Sequence, residues 1–174
     1  MTREEEYEPL ILDDGTAVPV RTIEPEDVSA LQRFHSRLSD RSIYLRFFGP
    51  MDELSEEKAR YFAEVDGVDH FALVALDPDD PEEITAVVRY DREPNTNRAE
   101  YAALVEDRWQ HLGLGLYLTN QLIDKARDAD VRFLYALVLP QNRPMLNLLR
   151  NLDLPEREHR EDNAKYVEVD LQSG

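Results

Sequence analysis

The sequence predicts a mixed α/β (α+β) domain, a mostly antiparallel central sheet flanked by helices, in the order β-α-α-β-β-β-α-β-α-β. Three observations predict it. His70 to Leu76, Ile84 to Tyr90 and Ala99 to Val105 are short apolar or alternating runs parted only by turn formers, which is the pattern of an antiparallel meander. Segments of helical spacing stand before and after this trio. Phe133 to Leu139 is a continuous apolar run between two of the later helical segments and suits a buried strand.

The first strand is expected around Val18, Val20 and Ile23, after the turn signal Asp13-Asp14-Gly15. Glu24-Pro25-Glu26-Asp27 then reads as a helix start, because acids are favoured by the helix dipole in the first turn. Leu31, Phe34, His35 and Leu38 supply its apolar stripe. Ser55 caps a second helix carrying Ala59, Tyr61, Phe62 and Val65, and Asp66-Gly67 stops it. The meander turns fall at Asp77-Pro78-Asp79-Asp80-Pro81 and Glu93-Pro94-Asn95-Thr96-Asn97. The first of these, over 77–83, lacks the alternating ligands and central glycine of a calcium loop and reads as a solvated hairpin. Leu116 to Ala129 is helical through Leu118, Leu122 and Ala126. Asn142 opens another helix with Pro144 in its first turn and Leu146, Leu149 and Leu152 on one face. Ala164 to Leu171 alternates as the last strand.

A chain of 174 residues fits one domain over 1–174, with residues 1–8 read as a flexible tail. No run of about 18 apolar residues is present to cross a bilayer and no apolar stretch follows the N-terminal charges, so a cytoplasmic location is expected. Cysteine is absent, which removes disulfides, thiolate metal sites and a cysteine nucleophile. His35, His70, His111 and His159 form no helical ligand pair, so no metal is expected. A net charge of −17 argues against nucleic acid and anionic membrane as partners. The basic residues are 17 Arg against 3 Lys. With so many carboxylates this reads as halophilic adaptation, since at roughly 1 M salt the Debye length is about 3 Å and crowded acids are screened.

The loop Gln110-His111-Leu112-Gly113-Leu114-Gly115 joins the third run of the meander to the next helix. Its backbone N–H groups should converge at a helix N-terminus, where orphan donors and the dipole favour an anion. Two glycines in such a place serve a tight connection as readily as a phosphate site. No Gly-Lys-Ser/Thr follows to make a P-loop, and the third spaced glycine of a dinucleotide fold is missing.

Gln110-x-x-Gly113-x-Gly115 resembles the Gln/Arg-x-x-Gly-x-Gly/Ala signature of the GNAT family of N-acetyltransferases, and the element order agrees over nearly the whole chain. Ser39-Asp40-Arg41-Ser42-Ile43-Tyr44-Leu45-Arg46-Phe47-Phe48, Ala99-Glu100-Tyr101, Glu106-Asp107-Arg108-Trp109-Gln110 and Gln141-Asn142-Arg143-Pro144-Met145-Leu146 resemble, over about half the chain, the acetyltransferase domain of bacterial protein lysine acetyltransferases. The resemblance implies acetyl-CoA as co-substrate and an amine acceptor, either a small molecule or a protein lysine. It leaves the oligomeric state open, a homodimer included.

By the same resemblance, the backbone of Ala102, Ala103, Leu104 and Val105 would pair with the pantetheine arm like an added strand. Gln110, His111, Leu112, Gly113, Leu114 and Gly115 would hold the pyrophosphate, and the Val105 N–H would polarise the thioester carbonyl. A lysine-like amine, with a pKa of about 10.4, is protonated at neutral pH and needs a base. Glu100 stands where the family glutamate removes that proton, and burial beside Tyr101 or apolar neighbours would raise its pKa toward the useful range. It also reads as a surface glutamate on an alternating strand. Asn142 matches the asparagine along the pantetheine and equally an N-cap.

Arg108, His111 and Arg143 are candidates to offset the charge of CoA, the two arginines serving as well as ion-pair partners. Phe47 and Phe48 are assigned to the core, Tyr44 and Arg46 are left open, and Trp109 is assigned to packing. The sequence departs from the family at Leu149, where many members place a tyrosine acid, and at Asp153-Leu154 in place of Gly-Phe. A non-catalytic acyl-CoA-binding regulatory module therefore stands as the alternative to an enzyme.

Overall fold

The computed structural model describes residues 7–172. Of the expected tail, residues 1–6 lie outside the described residues, while Tyr7 packs against the core. Nine strands and five α-helices follow among the described residues: β1 (Leu10–Ile11), β2 (Ala17–Val18), β3 (Val20–Thr22), α1 (Val28–Ser36), α2 (Asp40–Phe47), α3 (Glu56–Ala63), β4 (His70–Asp77), β5 (Asp80–Arg92), β6 (Arg98–Val105), α4 (Leu114–Asp128), β7 (Phe133–Val138), α5 (Arg143–Arg150), β8 (Glu156–Glu161) and β9 (Ala164–Asp170). Seven strands form one sheet in the order β3-β4-β5-β6-β7-β9-β8, antiparallel throughout except for the parallel pair β6–β7.

The sheet has a core on each face. Leu31, Phe34, Ala59 and Ala63 of α1 and α3 pack with Ala72, Val74, Ile84 and Val87 on one side. Leu114, Leu118, Leu122 and Ala126 of α4, with Leu146 and Leu149 of α5, meet Leu73, Val88, Tyr101 and Val167 on the other. The alternation of β6 sorts its side chains between these faces, with Tyr101 buried against α4 and Glu100 exposed on the opposite side. The Tyr101 hydroxyl shares a 2.6 Å hydrogen bond with Thr119, and burial pushes its phenol well above the ordinary value.

Several elements differ from the sequence reading. The first strand is split at Pro19, which has no N–H to donate: β2 pairs with β1 as a hairpin around Asp13-Asp14-Gly15, and β3 pairs with β4. Pro25–Asp27 is a 3-10 turn ahead of α1. The acidic turn is shorter than 77–83, since Asp77 pairs with Asp80 and β5 begins there.

Besides β1, which precedes the first strand expected from the sequence, two elements went unforeseen. One is α2, capped by Ser39, whose hydroxyl accepts the Ser42 N–H at 3.1 Å. The other is β8, whose sequence Glu-Arg-Glu-His-Arg-Glu has no apolar residue to alternate. Phe48 is not a core residue: it is 42% exposed with φ 62, the left-handed cap that ends α2. Phe47 does pack toward the core. Asp153, at φ 56, takes a left-handed position where the family favours glycine.

Candidate active site

The sheet opens where β6 meets β7. Their ladder consists of Arg98↔Phe133, Ala99↔Leu134 and Glu100↔Tyr135, and then stops. Beyond it β6 stays with β5 and β7 stays with β9, so the two strands splay apart around a cleft of about 930 Å³.

The ladder register says which backbone groups face that cleft. The Glu106 N–H donates to Thr85 O at 2.9 Å, which makes 85/106 a hydrogen-bonded pair and, by alternation, assigns Leu104 and Ala102 to β5 as well. Ala103 and Val105 therefore point their N–H and C=O groups into the cleft. On the other wall the Leu171 N–H donates to Arg132 O at 2.7 Å, so the even residues of β7 serve β9 and Leu137 faces the cleft. Of the four residues expected to offer backbone to a pantetheine arm, two turn backbone groups to the cleft and two are spent inside the sheet.

The register turns both backbone groups of Val105 to the cleft, and of the two it is the carbonyl that finds a partner. The Gln110 side-chain amide donates to Val105 O at 2.9 Å and approaches the Ser42 hydroxyl at 3.4 Å. Gln110 thus shapes the cleft wall through its side chain. After it the loop turns through left-handed residues, His111 at φ 67 and Gly113 at φ 85. The Tyr117 N–H is the first of α4 to find a helical acceptor, Gly113 O at 3.0 Å, so those of Leu114, Gly115 and Leu116 precede it as orphan donors at the cleft.

The glycines have a local reason beyond ligand approach. A Cβ on Gly113 would lie 2.5 Å from the Tyr117 ring, and one on Gly115 would lie 3.0 Å from Leu148. Leu112 departs from its expected place: its side chain packs on the core and its carbonyl accepts the Asp13 N–H at 3.0 Å. Gly113, Leu114 and Gly115 line the cleft, as do His111, Asn142 and Arg143. Asn142 is both cleft wall and N-cap, its Oδ1 accepting from the Met145 N–H at 3.3 Å.

The charges are distributed differently from expectation. Arg143 is exposed in the cleft and makes no ion pair among the described residues. Arg108 is turned away, bonded to Glu106 at 2.9 Å and to Asp77 at 2.8 Å. Arg41 of α2 lies in the cleft in its stead and reaches Gln141 O at 3.4 Å. Asp13 stands at the loop end, accepting a short hydrogen bond from Tyr117.

Glu100 lines the cleft beside α2 and is solvent-exposed. The expected burial is absent, because Tyr101 projects from the other face of the strand. Asp91 is its direct cross-strand partner, two carboxylates side by side, with the Arg46 guanidinium within electrostatic reach of both. Leu149, at the position of the missing tyrosine, is 3% exposed and packed in the core. Trp109 lines the cleft and packs on the core, as expected of it.

The residues missed by sequence reasoning include Arg41 and Ser42 on α2, Asp13 on the β1–β2 turn and Leu137 on β7, while Arg46, left open by the sequence, also lines the cleft. A signal for the first group existed in Ser39-Asp40, an N-cap followed by an acid in the first turn.

Comparison with known proteins agrees with this geometry. The model of the acetyltransferase (GNAT) family matches residues 34–153. An acetyltransferase of Pseudomonas aeruginosa is 30% identical over 157 residues, 90% of this chain and 84% of that protein. The acetyltransferase Pat of Mycolicibacterium smegmatis is 30% identical over 149 residues, which is 83% of this chain but only 43% of Pat. Among solved structures, the GNAT domain of S. lividans PAT superposes with a TM-score of 0.86 at 31% identity, covering 96% of each chain.

Proposed function

Because the chain belongs to the acetyltransferase (GNAT) family and is an acetyl-CoA-dependent N-acetyltransferase, we propose that it acetylates a primary amine by direct attack, with Glu100 as general base and a protein lysine or a small amine as acceptor. The observation that carries this reading is the splay of β6 from β7, which turns the Ala103 N–H and C=O and the Val105 N–H away from β5 along a cleft that ends at the α4 N-terminus.

The residues present fit the co-substrate. Free donors and acceptors on Ala103 and Leu137 suit the amides of a pantetheine arm, and the orphan N–H groups at Leu114, Gly115 and Leu116 suit a pyrophosphate. Arg41 and Arg143 bring positive charge to the cleft of a chain whose net charge is −17. Acetyl-CoA supplies an acetyl group activated as a thioester. The Val105 N–H, turned to the cleft by the register of β6, would donate to the thioester oxygen as it gains negative charge. Glu100 takes one proton from the acceptor ammonium, directly or through water, on the open α2 side of the strand, and the freed amine attacks the thioester carbon. The nitrogen–carbon bond forms, the nitrogen gives its second proton to water, and the carbon–sulfur bond breaks. No tyrosine stands at Leu149 to protonate the thiolate, so it leaves to water through the open cleft.

Glu100→Gln tests the reading against a non-catalytic acyl-CoA module. With acetyl-CoA and a panel of primary amines, the variant should lose turnover by roughly 100-fold or more while its acetyl-CoA affinity, measured by calorimetry, stays within a factor of about two. Full turnover in the variant would remove Glu100 from the mechanism. Acetyl-CoA binding with no turnover of any amine by the unaltered protein would favour the module.

A further inference from the structure

A second, smaller cavity of about 50 Å³ opens off the cleft on the α1–α3 face of the sheet. Its walls are apolar, with Leu31, Phe34, Phe62 and Leu104 among them, yet two arginines project into it. Arg89 comes from β5, and its side chain is only 7% exposed. One terminal nitrogen donates to Phe62 O at 3.0 Å, while Nε is buried without any hydrogen-bond partner. Its nearest carboxylate, Asp91, is 3.8 Å away and already bound to His70 at 2.8 Å. Arg46 comes from α2 and lines both the cavity and the main cleft. It stacks over Phe47 at 4.8 Å and makes no hydrogen bond or ion pair within 4.0 Å among the described residues.

Two arginines lining one small, largely apolar space, one of them with a buried Nε that has no hydrogen-bond partner, is an unfavourable arrangement by itself. Burial, reinforced by the charge of Arg89, pulls Arg46 below the ordinary arginine value, against the opposing pull of Glu100 and Asp91. Burial does the same to Arg89. A buried cation left without full hydrogen bonding costs free energy that an anion in the same space recovers. The space is right for one: it exceeds the volume a single water needs, and a carboxylate fits where a nucleotide or a phosphorylated sugar does not.

We propose that the acceptor carries a carboxylate a few bonds from its amine, and that Arg46 and Arg89 bind this carboxylate in the side cavity while the amine lies at Glu100. The inference rests on the assignment of Glu100 to the acceptor side made above. Arg46 and Phe47 line both spaces, as do Ala102 to Leu104, so the side cavity adjoins the cleft, and Glu100 projects from the same face of β6 as Leu104 of the cavity wall. The carboxylate comes either from a small amino acid-like amine or from an acidic side chain flanking a lysine in a polypeptide. Either source is neutral overall, an ammonium with a carboxylate, so the field of a chain of net charge −17 does not select for the carboxylate and the selection has to be made locally.

The test uses matched acceptors. Glycine, β-alanine and γ-aminobutyrate are each compared with their primary amides, and a lysine peptide with a flanking glutamate is compared with the same peptide carrying glutamine. At least one acid should exceed its amide in kcat/KM by roughly tenfold or more, because charge-assisted hydrogen bonds to a buried guanidinium are the strong kind. That preference should collapse toward unity in Arg46→Gln through a raised KM for the acid, and survive in part in Arg46→Lys. Preference in the small pairs alone or in the peptide pair alone assigns the source of the carboxylate. Equal rates on acid and amide throughout would overturn the inference.

A binding arm separates it from the reading it rests on. γ-Acetamidobutyrate and its amide are titrated into CoA-saturated protein by calorimetry. Acid-selective binding lost in Arg46→Gln, with no amine turned over, keeps the anion site and removes the role given to Glu100. Absence of selective binding for every acid product of the panel removes the anion site, whatever the turnover.

Discussion

Asp13 is the residue whose chemistry runs against the site it borders. Its carboxylate lies at the loop end of the cleft and is bonded to Tyr117, close to the helix N-terminus that suits a pyrophosphate. Asp13→Asn keeps an oxygen for the Tyr117 hydroxyl and removes the charge, so acetyl-CoA should bind a few-fold tighter at low salt, with the gain shrinking as salt screens it. Isothermal titration at two ionic strengths reads this directly, and unchanged affinity in dilute buffer would show that Asp13 does not face the co-substrate. Tyr117 is fixed twice, by Asp13 and by the ring contact that requires glycine at 113. Residue by residue, the loop is held by packing before any ligand arrives.

At the scale of elements, α2 is the one on which the acceptor side depends. Its first turn is latched to the segment after β6: the Ser39 N–H donates to Asp107 at 2.9 Å, the Ser39 hydroxyl at 2.7 Å, and the Ser42 hydroxyl at 3.1 Å. Burial acts to raise the Asp107 carboxyl, but the Ser39 backbone and hydroxyl and the Ser42 hydroxyl outweigh it and hold the group below its ordinary value. A depressed folded value means that the latch is fully present above the unfolded carboxylate pKa of about 4 and is lost as pH falls through the lower folded value. Amide exchange at Ser39 and Ser42 should therefore quicken below about pH 4 before the sheet opens.

Asp107→Asn should remove that pH dependence and reduce acetyl transfer by roughly tenfold through misplacement of Arg46, with little change in the thermal midpoint. A drop in the midpoint as large as the drop in turnover would point to general destabilisation instead. That α2 escaped the sequence reading has a physical cause. The helix buries only Ile43 fully, so its hydrophobic stripe is weak, and its stability comes from the side-chain latch to a residue 68 positions away. The same holds for β8, whose exposed, charged residues signal an edge strand only once β9 is seen beside it. In contrast α4, whose Leu118, Leu122 and Ala126 are fully buried, was legible because burial wrote a helical period into it, and the meander because β4 and β5, buried on both faces, read as apolar runs between turn formers. Of the site, the loop at 110–115 and Glu100 were legible through resemblance. The side cavity was not, since it joins residues from β5 and α2 that no local pattern connects.

For the whole molecule, the net charge of −17 is the dominant global quantity. Its cations, mostly arginine, are drawn into local pairs such as Arg21–Asp27 at 2.7 Å and Arg37–Glu83 at 2.8 Å, leaving a large excess of surface acid. Self-repulsion of that excess should weaken the fold in dilute buffer, and a melting series should rise by several degrees between dilute and molar KCl. Equal midpoints at the two ends would argue against a salt-adapted protein.

The splay of β6 from β7 has a mechanical side. Four strands lie on one side of the opening and three on the other, and the sheet holds them together through only three facing residue pairs. A molecule lying in the opening and bonded to both margins would act as a surrogate rung, so that the cohesion of the sheet becomes a function of ligand concentration. Saturation with acetyl-CoA should slow solvent exchange of the Ala103, Val105 and Leu137 amides together, and should raise the force needed to pull the two halves apart.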